Sequence, residues 1–267
     1  MIKALPMPAM IKIFAIFFIS FFIFCSCNVT FPKETLKQDT EKLIKKETGV
    51  DSAAYICGST MYLDVVMDGL ADDNEQTVSK AYETIQKIVS NIVRVPLSSD
   101  ADIKIVVVSI FDSDYKTLLR IFENIGDIKA YSHQLISRTD YGERQLMEFE
   151  GADSAKRIVE NKHEISQEEF VARLIISQIN MSARQNPFLG QLINSLQLQY
   201  FDVKDETICF MSNKIDNYDV QVLLKNRLLK ESVKNLQKYK LFSIKSAIIY
   251  DRDKNIIFEM PITVEQN

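Results

Sequence analysis

The segment 102–111, Asp-Ile-Lys-Ile-Val-Val-Val-Ser-Ile-Phe, constrains this chain more than any other. Its apolar residues, Ile103, Ile105, Val106, Val107, Val108 and Ile110, show neither the period of an amphipathic helix nor the alternation of a half-exposed strand. A short run rich in β-branched residues favours the extended state, and a strand apolar on both sides must be covered on both faces. The fold therefore places this strand centrally in a sheet, with material packed above and below it.

The rest of the chain supplies that material. Residues 55–68 read as strand, broken near Gly58, and 70–76 as polar turn. Residues 77–94 have helical period, with Ala81, Ile85, Ile88, Val89 and Ile92 on one face and Pro96 closing the run. Residues 114–125 also read as helix, with Leu118, Leu119 and Phe122 inward, Gly126 as stop and Asp112-Ser113-Asp114 as N-cap. Residues 129–138 fit neither pattern, and 144–150 read as strand. A short helix is expected over 154–162. Ser166 and Glu169 form a capping box ahead of Phe170, Leu174, Ile175 and Ile179, and Asn186-Pro187 ends that helix before a further turn at 189–196. Two hairpins, 198–211 and 242–260, flank a long helix capped by Asp219 and running to about Lys240. Strands and helices mixed without strict alternation define an α+β fold with mixed or antiparallel sheets and long amphipathic helices. The two halves loosely echo each other, with a boundary expected near 151–165.

The N-terminus carries an address. Lys3 and Lys12 precede an almost wholly apolar run, 13–24, which holds six Phe and leads into Phe24-Cys25-Ser26-Cys27. A positive start, a short apolar core and a small residue before the cut describe an export signal, and 12 residues are too few to span a bilayer as a helix. The Ser26-Cys27 junction resembles the lipobox of bacterial lipoproteins, although Phe24 and Cys25 depart from its usual residues. The resemblance covers residues 1–27 and implies removal of 1–26, a diacylglycerol on the Cys27 thiol, and a periplasm-facing protein anchored in a membrane. Asn28 does not favour retention in the inner membrane, which tilts the expectation toward the outer one. Residues 27–50 then form the lipidated end and a charged helical tether, in which Lys33, Lys37, Lys42, Lys45 and Lys46 alternate with acids, and 51–267 form the α+β region.

Composition excludes several chemistries. Removing 26 of 267 residues leaves 241, enough for a full core, with a formal charge that falls from −4 to −6 as Lys3 and Lys12 depart. An acidic chain with no basic patch has no footprint for nucleic acid. The seven glycines are widely spaced, so no phosphate-cradling loop exists and no nucleotide or other cofactor is implied. His133 and His163 are the only histidines, neither with a spaced metal or catalytic partner. Asp251, Asp253 and Asn255 begin like a calcium loop, but Ile256 and Ile262 stand where Gly and a bidentate Glu are needed, so a hairpin turn is the better account. Asp64, Asp68, Asp72 and Asp73 gather after the first strand and read as turn residues. Absent Trp removes the usual sugar platform. Cys57 and Cys209 lie in strand-like segments, where either a disulfide or two buried thiols is open to them.

The reading that follows is a lipid-anchored envelope protein, non-enzymatic, that binds another envelope protein as a structural or assembly component. A ligand-binding lipoprotein with a cleft between its halves is the alternative, and an envelope hydrolase the third. Cys27→Ala is expected to leave an unprocessed precursor and abolish palmitate labelling; labelling at the wild-type level would remove the lipid assignment.

Overall fold

The computed structural model describes residues 31–68, 75–112, 117–151, 161–184, 198–215 and 217–264. The signal, the lipobox with Cys27, Asp72, Asp73, Asp114 and the segments expected at 154–160 and 189–196 lie outside the described residues. The chain is α+β, with a five-stranded and a four-stranded mixed sheet.

The first sheet holds β1 (Ser52–Cys57), β2 (Thr60–Val66), β3 (Ile105–Phe111), β4 (Thr117–Asn124) and β5 (Leu146–Gly151), side by side in that order. Before them stands α1 (Leu36–Thr48); α2 (Glu75–Ile92) and the single turn α3 (Arg94–Leu97) connect β2 to β3; α4 (Ile125–Ser132) and α5 (Arg138–Arg144) connect β4 to β5. The helix α6 (Gln167–Arg184) leads to the second sheet, β6 (Gln199–Lys204), β7 (Thr207–Met211), β8 (Ser246–Tyr250) and β9 (Ile256–Pro261), with α7 (Tyr218–Lys238) between β7 and β8.

The sequence of 102–111 is answered directly. Every residue of β3 is buried, and β3 is the middle strand of five. One face of this sheet, with Met61, Leu63, Val106, Val108, Leu119 and Ile121, packs against Leu36 and Ile44 of α1 and Ile85, Ile88 and Ile92 of α2. The other face, with Tyr62, Val107, Phe122 and Leu146, meets Phe170, Leu174 and Ile175 of α6 in a core that continues through α7 to Ile208, Phe210, Ala247 and Ile249 of the second sheet. The layers run helix, sheet, helix, sheet.

Four expectations need correction. Residues 117–124 are strand β4, not helix: Phe122 packs with α6, Leu118 packs with Phe111, and Leu119 and Ile121 join the core of α1 and α2, so a strand apolar on both sides imitates helical spacing. Gly126 stands in the first turn of α4, capped by the Asn124 side chain, and stops nothing. The expected tether is a packed helix, because Leu36, Thr40 and Ile44 are buried. The cap of α7 is Asn217, whose side chain accepts from the amides of Asp219 and Val220.

The echo between halves is a repeated topology. A helix, a hairpin with a two-residue turn, a crossover helix and a second hairpin recur in both halves, and the first half adds α4, α5 and β5; in each set of four strands the two inner strands are parallel and the outer pairs antiparallel. The likeness reaches single hydrogen bonds. Lys104 N donates to Ser59 O and Lys245 N to Glu206 O, both at 2.8 Å; Ile125 N donates to Lys104 O at 2.9 Å and Ile262 N to Lys245 O at 2.7 Å. Thr60 and Thr207 open β2 and β7, and each faces the first residue of the following parallel strand, Ile105 or Ser246.

The second unit begins by clasping the first. Residues 161–166 run across the β1–β2 turn, where Glu164 Oε1 accepts from Ser59 N at 2.9 Å and Ser59 Oγ at 2.7 Å, Tyr62 Oη donates to His163 O at 2.6 Å, and Ile165 N donates to Thr60 Oγ1 at 2.8 Å. Gly58 is required there: its φ is +58°, and a Cβ would stand 2.2 Å from the Glu164 carboxylate.

Replacing Val107 with Asp puts an unpaired charge between the sheet and α6. We expect a loss of at least about 3 kcal/mol in urea unfolding; unchanged stability would mean that this face is not buried.

Candidate functional site

The helical layer of α1 and α2 ends over β4. Beyond it the same sheet face continues with Met147 and Phe149 of β5, which are 44% and 65% exposed. The result is an open cleft of about 670 Å³ between α2 and the β4–β5 edge. One wall is α2, through Tyr82, Ile85, Gln86, Val89 and Val93; the floor is Leu119, Ile121 and Glu123 of β4; Tyr141 and Gln145 close one end.

Among the described residues Glu123 is the only charged one lining this cleft, and it is 3% exposed. Alternation along β4 puts it on the apolar face with Leu119 and Ile121. Its carboxylate accepts from Tyr141 Oη at 2.9 Å and from the Gln145 side chain, both neutral donors. Burial raises its pKa from 4.5 to about 7, the nearby Asp127 carboxylate adds to the rise, and the two donors only partly oppose it. The Tyr141 hydroxyl is also raised, by burial first and by Glu123 next. Tyr131 stacks on Tyr141 with ring centroids 4.8 Å apart and fixes its ring.

The opposite face of the same strands handles acids differently. Glu148 lies between Arg120 and Arg173; Arg173 Nη1 is 3.0 Å from Glu148 Oε1, and Arg173 Nε is 2.9 Å from Glu169 Oε1. Burial works against the Arg173 charge, but Glu148 and Glu169 more than offset it and the pKa rises. Its guanidinium also lies 4.7 Å from the Tyr200 ring centroid. Asp127 is held by Arg144 Nη1 and Tyr239 Oη, both at 2.6 Å. These groups tie α6 and α7 to the first sheet.

The residues singled out from sequence do not converge. His163 Nε2 lies 2.9 Å from Glu169 Oε2, but that acid is shared with Arg173, and the other ring nitrogen faces Asn161 O. His133 is the exposed C-cap of α4. Asp64 is bound by Lys162 Nζ at 2.7 Å; burial raises its carboxyl, which Lys162 opposes, while Asp68 is exposed. Asp251 accepts from the Asn255 backbone at 2.8 Å and its amide at 3.0 Å, closing the β8–β9 turn on itself. Among the described residues no group of three or more His, Cys, Asp or Glu could hold a metal. Cys57 and Cys209 are free thiols on different sheets, so the disulfide left open by the sequence is not formed; burial raises the Cys209 thiol, which hydrogen-bonds Tyr250.

Glu123, Tyr141 and Gln145 were not anticipated. The helix expected over 114–125, with Leu118, Leu119 and Phe122 inward, gave no reason to single out Glu123; read as strand, Leu119-x-Ile121-x-Glu123 shows an acid among inward positions. No protein-family model, curated protein or solved structure matches this chain.

Between pH 4.5 and about 7 the folded carboxyl of Glu123 holds a proton that the unfolded chain has lost. This contribution to stability is therefore full at low pH and disappears as pH rises through about 7. Relative to wild type, Glu123→Gln should gain roughly 3 kcal/mol in urea unfolding between about pH 4.5 and about pH 8.5. A pH-independent difference would mean that the carboxyl is solvated.

Proposed function

We propose that this protein is a lipid-anchored envelope component, held to a membrane through Cys27, whose folded part binds a segment of another envelope protein in the α2/β4–β5 cleft. The observation that carries this reading is the cleft itself. Its floor and helix wall are mainly apolar, through Leu119, Ile121, Ile85 and Val89, the hydrogen-bonded group of Glu123, Tyr141 and Gln145 supplies polar contacts, and its rim keeps Tyr82, Met147 and Phe149 exposed at 58%, 44% and 65%. Open apolar surface rimmed by a few polar groups is the pattern of an interaction site. Among the described residues β5 is the last strand of its sheet, so an extended segment entering the cleft also finds a strand edge beside it.

The cleft lies inside the first unit rather than between the halves, where the ligand-binding alternative would have it. Its volume is also within the range of small-molecule sites. Its half-open form and exposed aromatic rim favour a chain segment, which keeps contacts outside the cleft as well as within it. The hydrolase reading has only the His163–Glu169 pair in its favour, and no serine or cysteine side chain joins it among the described hydrogen bonds.

The test uses a deletion strain. Val89→Trp fills the cleft from its helix wall and should fold but fail to restore the deletion phenotype, while the double variant His133→Ala, His163→Ala should restore it fully. Normal complementation by a folded Val89→Trp protein would discard the cleft. Failure of the folded double-histidine variant would put the hydrolase reading first.

A further inference from the structure

The repeated topology allows a comparison that the first sheet alone does not. Val106 of β3 and Ala247 of β8 occupy equivalent positions, each one residue past the start of its strand; Val106 pairs with Glu123 and Ala247 pairs with Met260. Met260 is 1% exposed and lies in the core of the second unit. The fold therefore accepts a methionine at the site of Glu123, and the acid is not needed to form the strand, its register or its turn. A buried carboxylate is costly unless it is paired. Other acids held on this sheet and against it have a cation: Glu148, Glu169 and Asp127 an arginine, and Asp64 the lysine Lys162. Glu123 has two neutral donors and a neighbouring acid.

The groups that act on Glu123 are Tyr141 of α5, Gln145 at the C-cap of α5, and Asp127 of α4, already bound to Arg144 and Tyr239; Val106 of β3 pairs with it, and Gln86, Tyr82 and Ser90 of α2 and Met147 of β5 line the same cleft. Among the described residues no lysine or arginine lines the cleft. An apolar channel ending at a carboxylate, with Tyr141, Tyr82 and Phe149 in its lining, matches a cation on a methylene stem: the stem lies along Ile85, Val89 and Ile121 while the head reaches the acid.

We infer that the partner segment delivers a lysine or arginine side chain into this cleft and onto Glu123. The inference rests on the binding reading above and adds the chemistry of the occupant. Because the carboxyl titrates near 7, only its ionised fraction holds the cation, and affinity rises with pH across the neutral range. A binding step near neutral pH thus becomes sensitive to the acidity of the compartment.

The full-length protein in detergent is used to select displayed random heptapeptides at about pH 8, with Glu123→Gln protein as the counter-selection. Hexylammonium and hexanol are titrated in parallel by calorimetry. The expected result is enrichment of peptides with one Lys or Arg between apolar residues. These should bind tenfold or more tighter at about pH 8 than at about pH 5.5 and lose that dependence on Glu123→Gln protein; hexylammonium should behave in the same way and hexanol should not. Peptides without a basic residue, or peptides indifferent to Glu123→Gln, would overturn the cation and leave the binding reading standing. Affinity that falls as pH rises would also overturn it, because the carboxyl would then act as a protonated donor. Hexylammonium binding without peptide enrichment would replace the partner segment by a small amine. Binding of none of the three probes would remove the cleft as a site altogether.

Discussion

Burial of β3 on both faces is the constraint on which the rest of the structure depends. A strand with no solvated side cannot sit in a two-layer fold with one wet surface. Helices α1 and α2 cover one face and α6 covers the other, and α6 in turn needs the second sheet to cover its own far side. The second unit is thus the lid on the first, and one hydrophobic cluster spans both. The clasp at Gly58, Ser59 and Glu164 and the arginine pairs of Glu148 and Glu169 fix where that lid sits. Apolar area supplies the attraction, and the paired charges restrict the two units to one relative position.

Much of this order is legible in the residues. The β3 run, the α2 stripe, the Ser166 cap of α6, whose hydroxyl accepts from Glu169 N at 3.1 Å, and both hairpins of the second unit follow local periodicity and local capping. What failed did so for one physical reason. In β4, Phe122 joins one core, Leu119 and Ile121 join the other, and Leu118 packs with Phe111, so the period of two vanishes and a helical spacing appears in its place. The same misreading concealed Glu123. An acid on a helix is an ordinary solvated residue, whereas an acid on the inward side of a strand is an anomaly that calls for a partner. The segment 31–47 misled in the opposite direction: its many charges hid the three positions, Leu36, Thr40 and Ile44, that dock α1. Local patterns identify elements; which faces are covered depends on the other elements, and that information is long-range.

Repetition separates what the fold demands from what it merely tolerates. Positions equivalent in the two units and similar in character, such as Thr60 with Thr207, Lys104 with Lys245, and Ile125 with Ile262, mark the turn and strand-end bonds that any copy of this topology must make. Positions that differ mark what each copy does with its surroundings. Tyr62 reaches across to His163 O because a second unit lies over it, while the equivalent Cys209 hydrogen-bonds Tyr250 on its own sheet. Glu123 and Met260 are the sharpest such difference, since one is a carboxyl and the other a thioether in the same buried place.

The two faces of β4 then make opposite use of charge. On the α6 side, Arg120 and Arg173 balance Glu148 and Glu169, and removing any one of them would strand its partner in a poorly solvated interior. Such a balanced set has no reason to recruit a further ion. On the α2 side, Glu123 is held by neutral donors beside Asp127, and its raised pKa records the absence of compensation. That deficit is tolerable in the free protein only because the carboxyl can take up a proton near neutral pH. An incoming cation would displace that proton, so occupation of the cleft and ionisation of Glu123 are linked equilibria, each favouring the other. A site built in this way has an affinity set partly by its solution, which is a physical property of the cleft and follows for any cationic occupant that fills it.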